Sequence, residues 1–265
     1  MKSKRILIVG SRSLIGSHLL NSSLNKEYQM NCTSRDLSAH DASKGIYHLD
    51  LEKSLDNLKS YSYDFVIITA GITNMKLCEE RPDYTRRVNV ENTIQLISKL
   101  LDANSHVVYL SSNVVFPEDI AFPSIEDKTD PRNSYGAQKL AVESFLKTST
   151  GNWTVLRLTK VLGGNFDLLG KWSNDLQMER LIHAFEDVMI SPITLLEVEE
   201  ALKVILDQNA RGLFQLGGTA EYSYYDFARV YFQDNPSALK LIIPAVKEIS
   251  VTITHNSLKT FLPGY

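Results

Sequence analysis

The segment NSYGAQKLAVESFL, residues 133–146, sets Tyr135 one helical turn before Lys139, and of the 12 tyrosines Tyr135 alone has a lysine four places on. On a helix, side chains at that spacing are neighbours. A free phenol titrates near pH 10, too high for ready proton exchange at neutrality, and an adjacent ammonium favours the phenolate and lowers that value. Tyr135 could then give a proton to an alkoxide forming on a carbonyl as hydride arrives, or take it back in the reverse direction. Upstream, YLSSNVVF puts Ser111 and Ser112 at the end of an apolar run, and the Ser112 hydroxyl could hydrogen-bond the same oxygen. Taken singly, each residue also fits a plainer role: a phenol covering apolar surface, a solvated lysine, serines ending a strand.

For these groups to meet, strand ends and the start of a helix must share one edge of a sheet. The apolar patterning supplies that. RILIVG is followed by LIGSHLLNSSL, YQMNCTS by a short strand around IYHL, DFVIITAG by a helix within PDYTRRVNVENTIQLISKLL, HVVYLSS by the Tyr135 helix, and WTVLRLT follows it. Continuous apolar strands alternating with helical periods predict an α/β fold, a doubly wound parallel sheet covered on both faces, with ligands at its carboxyl edge. After VLGG the rhythm becomes irregular, with a helix in LLEVEEALKVIL and a strand in GLFQLGG. The expected organisation is a nucleotide-binding, Rossmann-like core over residues 1–162 and a smaller interleaved substrate lobe over 163–265, from which a segment at 188–210 returns to the core. The break falls at Gly163 and Gly164.

The first strand ends in GSRSLIGSHLL, where Gly10 and Gly16 bracket Ser13, Leu14 and Ile15. A turn there, directly before a helix, presents free backbone N–H groups and the positive end of the helix dipole to a dinucleotide pyrophosphate. Ser13 occupies a place where a GxxGxxG turn carries glycine; it adds a Cβ near phosphate, and its hydroxyl could donate to that phosphate. Farther on, CTSRD sets Ser34 and Arg35 where a 2′-phosphate of NADP would lie, with Asp36 beside them as the acid that suits the 2′-hydroxyl of NAD. NADP is the expected cofactor, with NAD left open. Asp50, in HLDL, either contacts adenine or caps a helix beginning near Leu51.

Composition narrows the classes further. A net charge of -3 with no dense basic run after MKSKR argues against a nucleic-acid partner. No segment approaches the roughly 20 apolar residues of a membrane span, so no membrane partner and a cytoplasmic location are expected. Cys32 and Cys78 lie apart without CxxC spacing and the six histidines are scattered, so neither a disulfide framework nor a metal site is expected.

Taken in order, GSRSLIG, TAGITNMKLCEERPDYTRRVNVENT, SSNVVF, DPRNSYGAQKLAVE, LRLTKVLGG, ISPI, EVEEALKVIL and LFQLGGTAEYSYYDFA resemble the motifs of the extended short-chain dehydrogenase/reductase family, in its dTDP-4-dehydrorhamnose reductase branch. The resemblance implies a Ser112/Tyr135/Lys139 triad, with Lys139 also on the nicotinamide ribose, and cofactor contacts from Gly10, Gly16, Arg35, Asp50, Ala70 and Gly71. It further implies a helix asparagine near the site at Asn89, and a nucleotide sugar beneath the C-terminal lobe. Related enzymes often dimerise, which leaves a homodimer open. The departures are Ser13, Asn113 and Val114 in place of an Asp-Tyr pair, a compact stretch between Gly164 and Pro192, Val188 in place of Gln, and Ile193 in place of Thr. Dehydratases of the family carry Asp-Glu where Asn113 and Val114 stand, which disfavours dehydration. The expected function is NAD(P)H-dependent reduction of a 4-keto nucleotide sugar; the alternatives are a nucleotide-sugar epimerase and a non-catalytic NAD(P)-binding regulatory subunit, like that of methionine adenosyltransferase.

Overall fold

Ile6, Leu7, Ile8 and Val9 are all buried, so both faces of the first strand lie against apolar layers. The computed structural model describes residues 4–53, 63–163, 168–247 and 253–263. The first half contains strands β1 (Arg5–Val9), β2 (Gln29–Ser34), β3 (Ile46–His48), β4 (Phe65–Ile68), β5 (His106–Ser112) and β6 (Trp153–Leu158). Between them run helices α1 (Leu14–Asn21), α2 (Leu24–Glu27), α3 (Met75–Glu80), α4 (Pro82–Arg86), α5 (Thr93–Asp102) and α6 (Ser134–Thr148). Beyond β6 come β7 (Val161–Leu162), α7 (Leu168–Gln177), β8 (Ile182–Phe185), β9 (Met189–Ile190), β10 (Ile193–Thr194), α8 (Leu195–Gln208) and β11 (Gly212–Leu216). The chain continues through β12 (Tyr222–Ser223), α9 (Tyr224–Tyr231), α10 (Pro236–Leu241) and β13 (Ile242–Ala245).

Seven strands form the central sheet in the order β3-β2-β1-β4-β5-β6-β11, and every pairing is parallel. The direction of winding reverses between β1 and β4, which opens a crevice at their carboxyl ends. On one face Ile6 and Ile8 pack with Leu19 and Leu24 and with Val198, Leu202 and Ile205 of α8. On the other, Leu7 and Val9 pack with Leu96 and Ile97 of α5 and Val142 and Leu146 of α6.

Helix α8 thus returns to the core from within the expected 188–210 segment. The return runs further than the sequence indicates, because Gly212–Leu216 is the sheet's seventh strand and Leu262 joins the same apolar cluster. A separate cluster of Trp172, Ile182, Ala184, Ala228 and Ile242 is the lobe's own core, around the parallel pair β8 and β13. Of the expected break, Gly163 follows β7 directly, while Gly164 lies outside the described residues.

Between α4 and α5 the helix widens into a π segment, Arg87–Asn92. Val88, Asn89 and Val90 are all buried there, although consecutive residues of a regular helix point about 100° apart. The extra residue in the turn is what lets the polar Asn89 face inward beside two valines.

A buried ion pair ties α6 to the sheet. Arg157 on β6 is 1% exposed and Glu143 on α6 is fully buried; Nε donates to Oε1 at 3.0 Å and Nη2 to Oε2 at 2.7 Å. The Ser111 hydroxyl donates to Glu143 Oε1 at 2.6 Å, and Arg157 Nη1 donates to Gln215 Oε1 of β11 at 3.0 Å. Each charge is therefore hydrogen-bonded as well as paired. Removing one partner leaves the other desolvated and alone, so Arg157→Met should lower stability by about 3–5 kcal/mol. Arg157→Met with Glu143→Met should recover most of that loss, and urea unfolding of the two variants checks both.

Candidate active site

Helix α6 owes the position of its first turn to local chemistry. Asn133 caps it, its Oδ1 accepting from the Gly136 N–H at 2.8 Å. A Cβ at residue 136 would stand 2.2 Å from the Val114 carbonyl oxygen, so only glycine lets the helix settle onto the turn after β5. That seats Tyr135 and Lys139 at the carboxyl edge of the sheet, where they line a cavity of about 570 Å³ together with Ser111, Ser112 and Asn113. Strand alternation separates the two serines. Ser111 is buried against Glu143, whereas Ser112 is half-buried and its hydroxyl donates to Asn113 Oδ1 at 3.3 Å.

Lys139 points its ammonium at the Leu110 carbonyl oxygen, 2.8 Å away, with the Tyr109 ring centroid at 4.6 Å and the Tyr135 ring centroid at 5.7 Å. Burial pushes the ammonium down to about 8, against a smaller opposing pull from Glu143. Burial pushes the Tyr135 phenol up. The net shift of the phenol is thus opposite to the lowering expected from its lysine neighbour. The cation stands over ring faces and donates to a backbone carbonyl, so the cost of desolvating the phenolate dominates.

The glycine turn lines a second cavity, of about 440 Å³, bounded by Gly10, Ser13, Ser34, Arg35, Asp50, Leu51, Ala70 and Gly71. Gly10 adopts φ +103°, and a Cβ there would stand 2.9 Å from Ala70. A Cβ at Gly16 would lie 2.2 Å from the Gly10 carbonyl oxygen, so this glycine serves the packing of α1 on the turn. Ser13 is the N-cap of α1 and accepts from the Gly16 N–H at 2.9 Å. Its hydroxyl also lies 2.9 Å from the Gly10 carbonyl oxygen and 2.8 Å from Thr69 Oγ1. These contacts make the Ser13 hydroxyl part of the turn's own hydrogen bonding. The helix leaves the N–H groups of its first residues, Leu14 and Ile15, without an intrahelical acceptor, and both residues line the larger cavity. Ser13 and Gly71 line both cavities, which makes the two halves of one cleft.

At the outer end, Arg35 pairs with Glu52 at 3.5 Å and Arg12 with Asp36 at 3.7 Å, all with exposed side chains. Hydrogen bonds from Ser38 hold the Asp36 carboxyl below its ordinary range. Ser34 accepts from the Asp36 N–H at 3.1 Å. Asp50 accepts from the Glu52 N–H at 3.0 Å, closing a turn over residues 51–53 while lining the cavity; residues 54–62, where the expected helix would continue, lie outside the description.

Asn89 lines neither cavity. Its Oδ1 accepts from the Ile72 N–H at 2.8 Å and its Nδ2 donates to the Ile72 carbonyl at 2.9 Å and to Gln138 Oε1 at 2.8 Å. Gln138 Nε2 in turn donates to Thr85 Oγ1 at 2.9 Å. The π segment, the loop after β4 and α6 are therefore one hydrogen-bonded unit.

Sequence reasoning did not single out Arg12, although it stands inside the glycine turn, nor the Gln138–Thr85 link, nor Thr69. It named Val188 only as a departure and left unnamed the rest of the lobe's contribution to the larger cavity: Ile190, Tyr224, Lys247, Thr254 and Asn256. Asn113, one of the departures, donates to Asn256 Oδ1 at 3.3 Å and so joins the turn after β5 to the C-terminal segment. Among the described residues no cluster of three His, Cys, Asp or Glu side chains could hold a metal ion, and no helix is long and apolar enough to cross a membrane.

Residues 4–255 match the family described as RmlD substrate binding domain. The dTDP-4-dehydrorhamnose reductase of Escherichia coli strain K12 is 24% identical over 186 residues, 68% of this chain and 62% of that protein, so the match spans under two thirds of that relative's length. The spore coat polysaccharide biosynthesis protein SpsK of Bacillus subtilis is 21% identical over 263 residues, 98% of this chain and 87% of the relative. Among solved structures, a hypothetical dTDP-4-dehydrorhamnose reductase from Sulfolobus tokodaii superposes with a TM-score of 0.83 at 20% identity, covering 97% of this chain and 92% of that one. A dTDP-4-dehydrorhamnose reductase from Bacillus anthracis in complex with NADP gives 0.77 at 17% identity, covering 95% and 87%. The structural likenesses are of fold. With the family match running over nearly the whole sheet and lobe, the chain belongs to the RmlD substrate binding domain family.

Proposed function

We propose that this protein is an NADPH-dependent reductase acting on the keto group of a 4-keto nucleotide sugar. The observation that carries the reading is the convergence of Tyr135, Lys139 and Ser112 on one cavity that joins the glycine-turn cavity through Ser13 and Gly71. Relatives named dTDP-4-dehydrorhamnose reductase, one of them solved with NADP, support the substrate class and the cofactor.

A dinucleotide fits the smaller cavity on the chemistry of its lining. Gly10, where a Cβ would run into Ala70, and Ser13 bound the turn at which a pyrophosphate would lie, the first N–H groups of α1 adjoin it on the side of the larger cavity, and Arg12 and Arg35 offer two guanidinium groups at the outer end for a 2′-phosphate. Asp50 and Leu51 would bound the adenosine, Ala70 and Gly71 the middle, and Lys139 the nicotinamide ribose. Asn89 would act at one remove, by holding Ile72. The cofactor, when bound, supplies hydride.

The chain's own part is protonic. Burial keeps the Tyr135 phenol protonated at neutral pH, so it arrives at the reaction as an acid. As negative charge grows on the substrate oxygen, Ser112 donates a hydrogen bond to it and Tyr135 transfers its proton. The phenolate left behind is stabilised by the Lys139 ammonium, which sits near enough to neutrality to pass a proton on and restore the phenol.

Tyr135→Phe should lower kcat by about 10²–10⁴-fold while leaving NADPH affinity within a few-fold, measured as NADPH oxidation with dTDP-4-dehydrorhamnose and by fluorescence titration. Unchanged turnover would remove the phenol from the mechanism; a parent protein that converts the sugar without net NADPH oxidation would point to epimerisation. For the adenosine end, Arg12→Ala or Arg35→Ala should weaken NADPH about 10–100-fold and leave NADH affinity unaltered, as expected for loss of a charge-assisted phosphate contact.

Lys139 gives a pH-dependent stability effect. Its folded value of about 8 lies below the ordinary 10.5, so the unfolded chain binds more protons between those limits and stability rises with pH across that window. Below pH 8 the burial penalty is present in full. Lys139→Met should therefore stabilise the protein at pH 7, without added cofactor, by on the order of 2 kcal/mol. Denaturant titrations should show that gain fading between pH 8 and 10.5.

A further inference from the structure

Lys139 is a cation in a largely apolar surrounding, and its hydrogen bond to the Leu110 carbonyl uses one of three N–H groups. The charged or titratable groups facing it are Tyr109 from β5, Cys78 from α3, and Tyr135 and Glu143 from its own helix. Glu143 is already held by Arg157 and Ser111. Cys78 is buried and pushed up by that burial, so it stays an uncharged thiol. Tyr135 is the nearer neighbour in sequence but the farther ring, at 5.7 Å against 4.6 Å for Tyr109. Tyr109 is 2% exposed and held between the sheet and α6, so its ring cannot turn away from the cation.

We propose that Tyr109 is a positioning residue of the site: its ring face, together with the Leu110 carbonyl, holds the Lys139 ammonium in place and in its charged form beside the Tyr135 phenol. The attraction is that of a cation for the negative face of an aromatic ring, which strengthens when both are out of water. Because burial pushes the Tyr109 phenol up, it stays neutral and the ring rather than a phenolate charge acts on the lysine. The role in turnover rests on the reductase reading above; the effect on Lys139 does not.

The test labels the lysine side chains with ¹³C at Cε and follows the Lys139 resonance, assigned with Lys139→Met, through a pH titration of the full chain without cofactor. Tyr109→Leu should lower the Lys139 midpoint by about one pH unit, and pentafluorophenylalanine at position 109, which keeps the ring's shape but removes its negative face, should do the same without disturbing the packing. Tyr109→Phe should hold the midpoint at the parent value. A midpoint unmoved by pentafluorophenylalanine overturns the proposal, as does a fall in Tyr109→Phe equal to that in Tyr109→Leu. In the turnover assay the pH profile of kcat should shift with the same midpoint in the pentafluorophenylalanine protein. A parent protein without turnover would sink the reductase reading, while the resonance would still decide the role of Tyr109.

Discussion

The contact between the α6 backbone and the Val114 carbonyl oxygen, open only to a residue without a Cβ, fixes the depth at which everything else in the site operates. It sets the first turn of the helix on the carboxyl end of β5, and with it the phenol, the ammonium and the half-buried serine. Two turns farther along, Glu143 meets Arg157 and pins the same helix to β6 and, through Gln215, to β11. A rod held at two heights has little freedom to roll or slide, so side chains on its inner face inherit the precision of the sheet.

The two ends of the cleft work under different electrostatic rules. Around Arg12 and Arg35 the partners are exposed, charges of both signs are close by, and salt screens them. Around Lys139 and Tyr135 the surroundings are ring faces, backbone and apolar strand ends, where the loss of water outweighs the attraction between neighbours. The same chain thus offers a permissive, salt-sensitive grip at one end and a stringent, water-poor setting at the other.

Much of this was legible in the sequence for a physical reason. Strands buried on both faces read as unbroken apolar runs, so FVII and HVVYL announced a parallel sheet, and the glycine turn and the Tyr135 helix followed in the order such a sheet requires. Other features depend on depth and on partners distant in the chain. Ser111 and Ser112 look alike in a string and differ only in the face toward which strand alternation turns them. The net shift of the Tyr135 phenol was expected with the opposite sign because spacing gives proximity but not desolvation. Ser13 read as an intrusion in the glycine turn, yet its oxygen caps α1. Asn89 faces inward only through a π segment that no periodicity announces. The return of Gly212–Leu216 to the sheet was obscured by the two-residue strands around it, which leave little pattern to read.

The closing stretch of the chain changes what counts as a unit. Phe261 bridges to Gln215 on the outermost strand, Leu262 enters the apolar layer beneath the sheet, and Asn256 reaches the turn after β5. The sheet is therefore finished by residues that arrive only after the lobe has been threaded, and the lobe interrupts the core in the way a parenthesis interrupts a sentence. A nascent chain holding only the first six strands would expose an open edge along β6 and an uncovered apolar face where α8 belongs. Ending at residue 162 would leave that same unfinished sheet, because β11, α8 and Leu262 all come from the second half of the chain.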